Sequence, residues 1–141
     1  PEAATAQFNE ALRLNPDMVA AHNQLAQAFI RPGKTAEALS HFASSVRLEP
    51  DNPEARFNLG LALLDTQQPA EAAAQFAGLL RLKPDETRAH YRLAQAQQQL
   101  NRPAEAARHY RAALRLTPDF PVAKKELDEL LAAHPDLPVE P

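Results

Sequence analysis

One four-residue phrase constrains this chain more than anything else in it. Leu14-Asn15-Pro16-Asp17 returns as Leu48-Glu49-Pro50-Asp51, Leu82-Lys83-Pro84-Asp85 and Leu116-Thr117-Pro118-Asp119, and each proline lies 34 residues after the one before. A period held without slippage through four occurrences marks a solenoid, in which each unit buries its apolar face only by stacking on its neighbours. The 141 residues therefore form one array whose core runs along an axis, not one round core.

Between the phrases the periodicity is helical. Ala4, Phe8, Ala11 and Leu12 fall at i, i+4, i+7 and i+8, one face of a helix that Pro16 closes. Leu25, Ala26 and Phe29 define a second helix, which Pro32-Gly33 breaks. Ala38, Phe42, Val46 and Leu48 define a third, which ends at Pro50. The same couple recurs around breaks at Gln67-Gln68-Pro69 and Asn101-Arg102-Pro103, with Pro53 at a first-turn position. Each unit is thus two antiparallel helices. Only 3 glycines but 13 prolines occur, and proline is tolerated at helix boundaries, not interiors, so the prolines punctuate.

After Pro118 a final helix starts at Pro121, and its run Lys124-Lys125-Glu126 with Asp128-Glu129 gives the polarity a terminal cap needs toward water. The tail from Pro135 to Pro141 cannot continue a helix and is expected to be frayed or extended. The expected organisation is a single array over 1–134: a half repeat 1–18, full repeats 19–52, 53–86 and 87–120, and a capping helix 121–134. The Pro-rich tail 135–141 follows, and the total is about seven helices. The chain begins at Pro1 in mid-repeat, which reads as a segment of a longer protein.

This pattern resembles the tetratricopeptide repeat family. With Val19, Pro53 and Thr87 as first positions, the seventh is Leu25, Leu59 and Leu93, and the eighth is Ala26, Gly60 and Ala94. The twentieth is Ala38, Ala72 and Ala106, the twenty-fourth is Phe42, Phe76 and Tyr110, and proline holds the thirty-second. His22, Arg56 and His90 depart from the family's aromatic fourth position, as do Gln97 at the eleventh and Ser45 at the twenty-seventh. The resemblance implies an all-α, right-handed superhelix in which small residues let paired helices approach and the aromatic fills the gap between repeats.

Composition removes several function classes. The net charge of -3 is small and both signs are interspersed, so nothing resembles the basic stripe that nucleic acid or an anionic membrane requires. With no cysteine there is no disulfide framework or thiolate chemistry, which fits cytoplasm and periplasm equally. Asp65 and Glu71 interrupt the most apolar stretch below membrane-spanning length.

Candidate chemistry is weak. His22 and His90 share a repeat position, as do His41 and His109, but equal positions two repeats apart stand roughly 20 Å from each other on helices packed about 8–10 Å apart. One zinc ion needs its nitrogens at about 2.1 Å, so no metal site and no cofactor is expected. Ser44 and Ser45 near His41 lack a glycine elbow, an oxyanion nest and an orienting third residue, so the chain is read as no enzyme. Phe8, Phe42, Phe76 and Tyr110 read as helix-crossing core, not as base-stacking platforms.

Function is then expected on the surface. In this family positions 2, 5, 6, 9 and 12 of the first helices line a concave groove, which implies Ala20, Asn23, Gln24, Gln27 and Ile30; Glu54, Phe57, Asn58, Leu61 and Leu64; and Arg88, Tyr91, Arg92, Gln95 and Gln98. This groove is amide-rich with an apolar middle and a basic end. Leu59 and Leu63 already supply the core stripe of the middle helix, while Phe57, Leu61 and Leu64 form a second stripe at i, i+4 and i+7, which something must cover. A neighbouring helix or a docked partner would each do so.

The family's carboxylate clamp is matched by Asn58 and Arg92, and Arg88 keeps its charge where lysine is usual, whereas Asn23 and Gln27 do not match. The expected binding set is Asn23, Gln27, Phe57, Asn58, Leu61, Leu64, Arg88, Tyr91, Arg92 and Gln95. The expected partner is a protein or peptide with acidic and apolar groups. Recruitment for a larger enzyme such as a glycosyltransferase, or self-association through the edge bearing Ala4, Phe8 and Ala11, are the alternatives.

Overall fold

The computed structural model describes residues 2–30 and 33–138. Among these residues it is all helical: α1 (Glu2–Leu14), α2 (Val19–Ile30), α3 (Thr35–Leu48), α4 (Pro53–Asp65), α5 (Pro69–Leu82), α6 (Thr87–Gln99), α7 (Pro103–Leu116) and α8 (Pro121–Ala133). Eight helices replace the expected seven, because the leading helix and the cap both stand outside the three pairs. None is long and apolar enough to cross a membrane. Pro1, Pro32 of the first break and 139–141 of the tail lie outside the described residues.

Helices start where the phrase predicts. Asn52 caps α4 by accepting from the backbone N–H groups of Glu54 and Ala55, and Glu86 accepts from that of Arg88 ahead of α6. Prolines open α4, α5, α7 and α8, where a missing N–H costs nothing. Each turn within a pair closes the same way. Lys34 donates to Phe29, Gln68 to Leu63 and Arg102 to Gln97, with a left-handed residue between: Gly33 (φ 78°), Gln67 (φ 59°) and Asn101 (φ 58°). This is the Schellman stop, in which a positive φ lets the chain reverse and satisfies the last carbonyls.

Successive helices pack on one another, and α4 also reaches α6. Phe42, Phe76 and Tyr110 are closed from solvent, as are Ala38, Ala72 and Ala106 beside them. At Gly60 the approach of α4 to α5 is closest: an added Cβ would stand 2.6 Å from the Phe76 ring. One cluster spans α2 to α6 and a second joins α6, α7 and α8. By contrast α1 buries none of its 13 residues, and Phe8 is only half-buried, since α1 packs mainly on α2.

Among the described residues, every backbone hydrogen bond outside the helices joins residues no more than five apart. Neighbouring repeats are therefore held by side chains. The described part of the tail is not frayed: Leu137 packs on the second cluster and Arg111 donates to the carbonyl of Pro138.

Candidate functional site: the face of α2, α4, α6 and α8

The residues expected on the inner face separate into three groups. Phe57 and Leu64, at 6% and 8% exposure, are covered by the chain itself. Phe57 meets Phe76 in an edge-to-face arrangement at 5.8 Å, and the Arg88 guanidinium lies 4.4 Å from the centre of the Phe57 ring. The second apolar stripe of α4 is thus closed by the chain itself, with Phe76 of α5 and Arg88 of α6 both against Phe57, so only the half-buried Leu61 remains of the open apolar middle. This corrects the expected docking stripe: side chains of the neighbouring helices α5 and α6 already lie over Phe57.

Toward the first repeat, Gln27 is exposed and Asn23 and Asn58 are half-buried. The Oδ1 atom of Asn23 is buried with no hydrogen-bond partner. An unmatched buried carbonyl is destabilising unless something donates to it.

The third group is a polar network. Arg88 pairs with Glu86 at 3.2 Å and reaches Glu54 at 3.5 Å. The Glu86 hydrogen bond, reinforced by both carboxylates, raises its pKa. The basic end expected from sequence is therefore largely neutralised within the chain. Arg92 lies 5.4 Å from the Tyr91 ring and donates to Gln95 Oε1 at 3.0 Å.

Beyond Arg92, sequence reasoning missed the central group. Glu126 belongs to the polar run expected on the watery side of the cap, yet its carboxylate turns inward. Tyr91 donates to its Oε1 at 2.9 Å, Tyr110 lies 2.9 Å from its Oε2 while also contacting Gln98 Oε1, and Gln95 Nε2 stands 3.4 Å from both oxygens. Burial pushes the Tyr91 phenol up to about 12, helped by the hydrogen bond to Glu126, and raises Tyr110 further for the same reasons. Both hydroxyls therefore remain donors. The available signal was the frame: Glu126 is sixth in its unit, the same position as Asn58 and Arg92.

Together α4, α6 and α8 enclose a depression of about 690 Å³ whose polar lining includes Asp65, Gln67, Arg92, Gln98, Glu126 and Glu129. Amides, one guanidinium and three carboxylates can donate to and accept from a backbone. No nucleophile and base converge there. Ser44 and Ser45 donate to the carbonyls of Ser40 and His41 in their own helix, at 3.1 and 3.2 Å.

A right-handed stack of helix pairs with a polar recess along its first helices defines a helical-repeat solenoid. The family model of the tetratricopeptide repeat matches residues 1–53, 23–87 and 57–121, and the chain belongs to that family. Among solved structures, the crystal structure of MamA superposes with a TM-score of 0.87 at 18% identity, over 92% of this chain and 75% of that one. MamA 41-end from Desulfovibrio magneticus RS-1 gives 0.88 at 21% identity, over 96% and 77%. The first TPR of Spaghetti (RPAP3) bound to HSP90 peptide SRMEEVD gives 0.78 at 23%, over 82% and 91%. At these identities the likeness establishes the fold. Compared with curated protein sequences, the chain matches none significantly.

Proposed function

We propose that this chain is a non-catalytic protein-interaction module that captures a peptide segment of a partner in the recess between α4, α6 and α8. The observation that carries the reading is the hydrogen-bonded set Tyr91, Arg92, Gln95, Tyr110 and Glu126, whose side chains hold one another in place around an open depression. A prearranged lining lowers the ordering cost that binding imposes on the receptor. A structural neighbour solved with a peptide supports the same mode.

The chemistry of the ligand narrows accordingly. With Arg88 matched by Glu54 and Glu86, Arg92 is the cation left facing the recess, beside the carboxylates of Asp65 and Glu129. An extended segment that offers one carboxylate to Arg92 and donors to its acidic neighbours fits this lining. A displayed random-peptide library tests the reading. The wild-type chain should enrich one motif, and Arg92→Ala combined with Gln98→Ala should lose it while the thermal midpoint stays within a few degrees. No enrichment, or enrichment the double variant retains, rejects the recess as the binding site.

Self-association has one observation in its favour: Phe8 is half-buried where Phe42, Phe76 and Tyr110 at the equal position are closed over. A single-chain mass by light scattering at high concentration would set it aside.

A further inference from the structure

The fourth position of each repeat carries a polar group that the recess does not use. In the first repeat His22 Nε2 lies 2.8 Å from the carbonyl of Pro16, and its Nδ1 lies 3.0 Å from Nδ1 of His41. The third repeat repeats this arrangement: His90 Nε2 is 2.8 Å from the carbonyl of Pro84, and its Nδ1 is 3.0 Å from Nδ1 of His109. The sequence comparison paired equal positions two repeats apart; the fold pairs positions four and twenty-three within one repeat. In the middle repeat the same two places hold Arg56 and Gln75, and Arg56 donates to the carbonyl of Pro50 at 2.8 Å and to Gln75 Oε1 at 3.2 Å.

A carbonyl can only accept, so Nε2 of His22 and of His90 carries the proton. A neutral imidazole has one N–H, which leaves Nδ1 as a bare lone pair aimed at the second ring. Metal-binding histidines are oriented in this way, one nitrogen donating to a backbone carbonyl and the other turned to the ion. Two nitrogens bound to one ion at about 2.0–2.1 Å stand about 2.9 Å apart in neighbouring square-planar positions and about 3.3 Å apart on a tetrahedron, so the observed 3.0 Å lies between the two. Arg56 shows that this place, beside a proline carbonyl, accommodates a full positive charge.

We propose that the pairs His22 with His41 and His90 with His109 are two binding sites for an imidazole-preferring divalent transition-metal ion. Each ion is held by two Nδ1 atoms, with water completing its shell. His41 and His109 free Nδ1 by carrying their proton on Nε2 instead, so the neutral rings bind without net loss of a proton. Among the described residues no group of three or more potential ligands forms, which limits each site to its two nitrogens. That favours copper(II), which binds such ligands most strongly among the divalent first-row ions. The first pair is the tighter site, because Arg108 adds positive charge near His109.

Calorimetric titration of the full chain with copper(II) at pH 7.5 tests this, comparing wild type with His41→Gln, His109→Gln and the double variant. Glutamine stands at the same position in the second repeat as Gln75, so the helices tolerate it, and circular dichroism checks that. The double variant should bind two ions fewer per chain than wild type and each single variant one fewer, with His41→Gln losing the tighter. Equal stoichiometry in all four proteins would place the copper at His134 or at carboxylates and overturn the proposal.

Discussion

At the scale of single residues, burial changes what Phe57 can report. It belongs to the larger cluster and touches both Phe76 and Arg88, so Phe57→Ala should lower stability by about 3 kcal/mol in urea unfolding, toward the lower end for such truncations because part of its cover is a guanidinium. It is therefore no clean probe of ligand capture. His109 gives a pH dependence with a definite sign. Burial, then His90 and Arg108, lower its pKa from 6.5 to about 4. The unfolded chain takes up that proton near 6.5 and the folded chain only near 4, so between them the unfolded state binds more protons. The stability that goes with neutral His109 is complete above pH 6.5 and is lost as pH falls toward about 4. The thermal midpoint of wild type should fall more steeply across that window than that of His109→Gln.

At the scale of helices and turns, the Schellman stops ask for a left-handed residue, and glutamine meets that demand poorly. Gln67→Gly should raise stability by up to about 1 kcal/mol in thermal unfolding, whereas Asn101→Gly should gain less, because asparagine already tolerates that backbone. One carboxylate adds a polar tie to the apolar packing of α8: Glu126→Ala removes the acceptor of the Tyr91 hydroxyl and should cost about 1–3 kcal/mol, with faster amide exchange across α8. These elements divide what the sequence reveals from what it hides. Proline spacing and small residues at the eighth and twentieth positions locate the helices because both act locally. Covering of Phe57 by α5 and α6, inward rotation of Glu126 and the pairing of His22 with His41 depend on how one helix lies over the next. No periodicity within a single helix encodes that angle, so the candidate site was legible as a list of positions but not as a set of contacts.

At the scale of the whole molecule, stability is a sum over neighbouring pairs, and α1 contributes least because it buries nothing fully. Native-state hydrogen exchange should release the amides of α1 well before those of α4 to α6; uniform protection along the chain would contradict a solenoid that unfolds from its edge. Among the described residues the backbone bonds reach no further than five residues, which gives the array a mechanical character. Pulling two repeats slightly apart, or twisting one on the next, breaks no main-chain bond and only slides apolar side chains over each other. Such a body behaves like a soft spring along its axis and a stiff rod within each helix. Its recess can therefore widen or narrow by small, shared changes of pitch, and a bound segment would be gripped by elastic recoil distributed over every repeat.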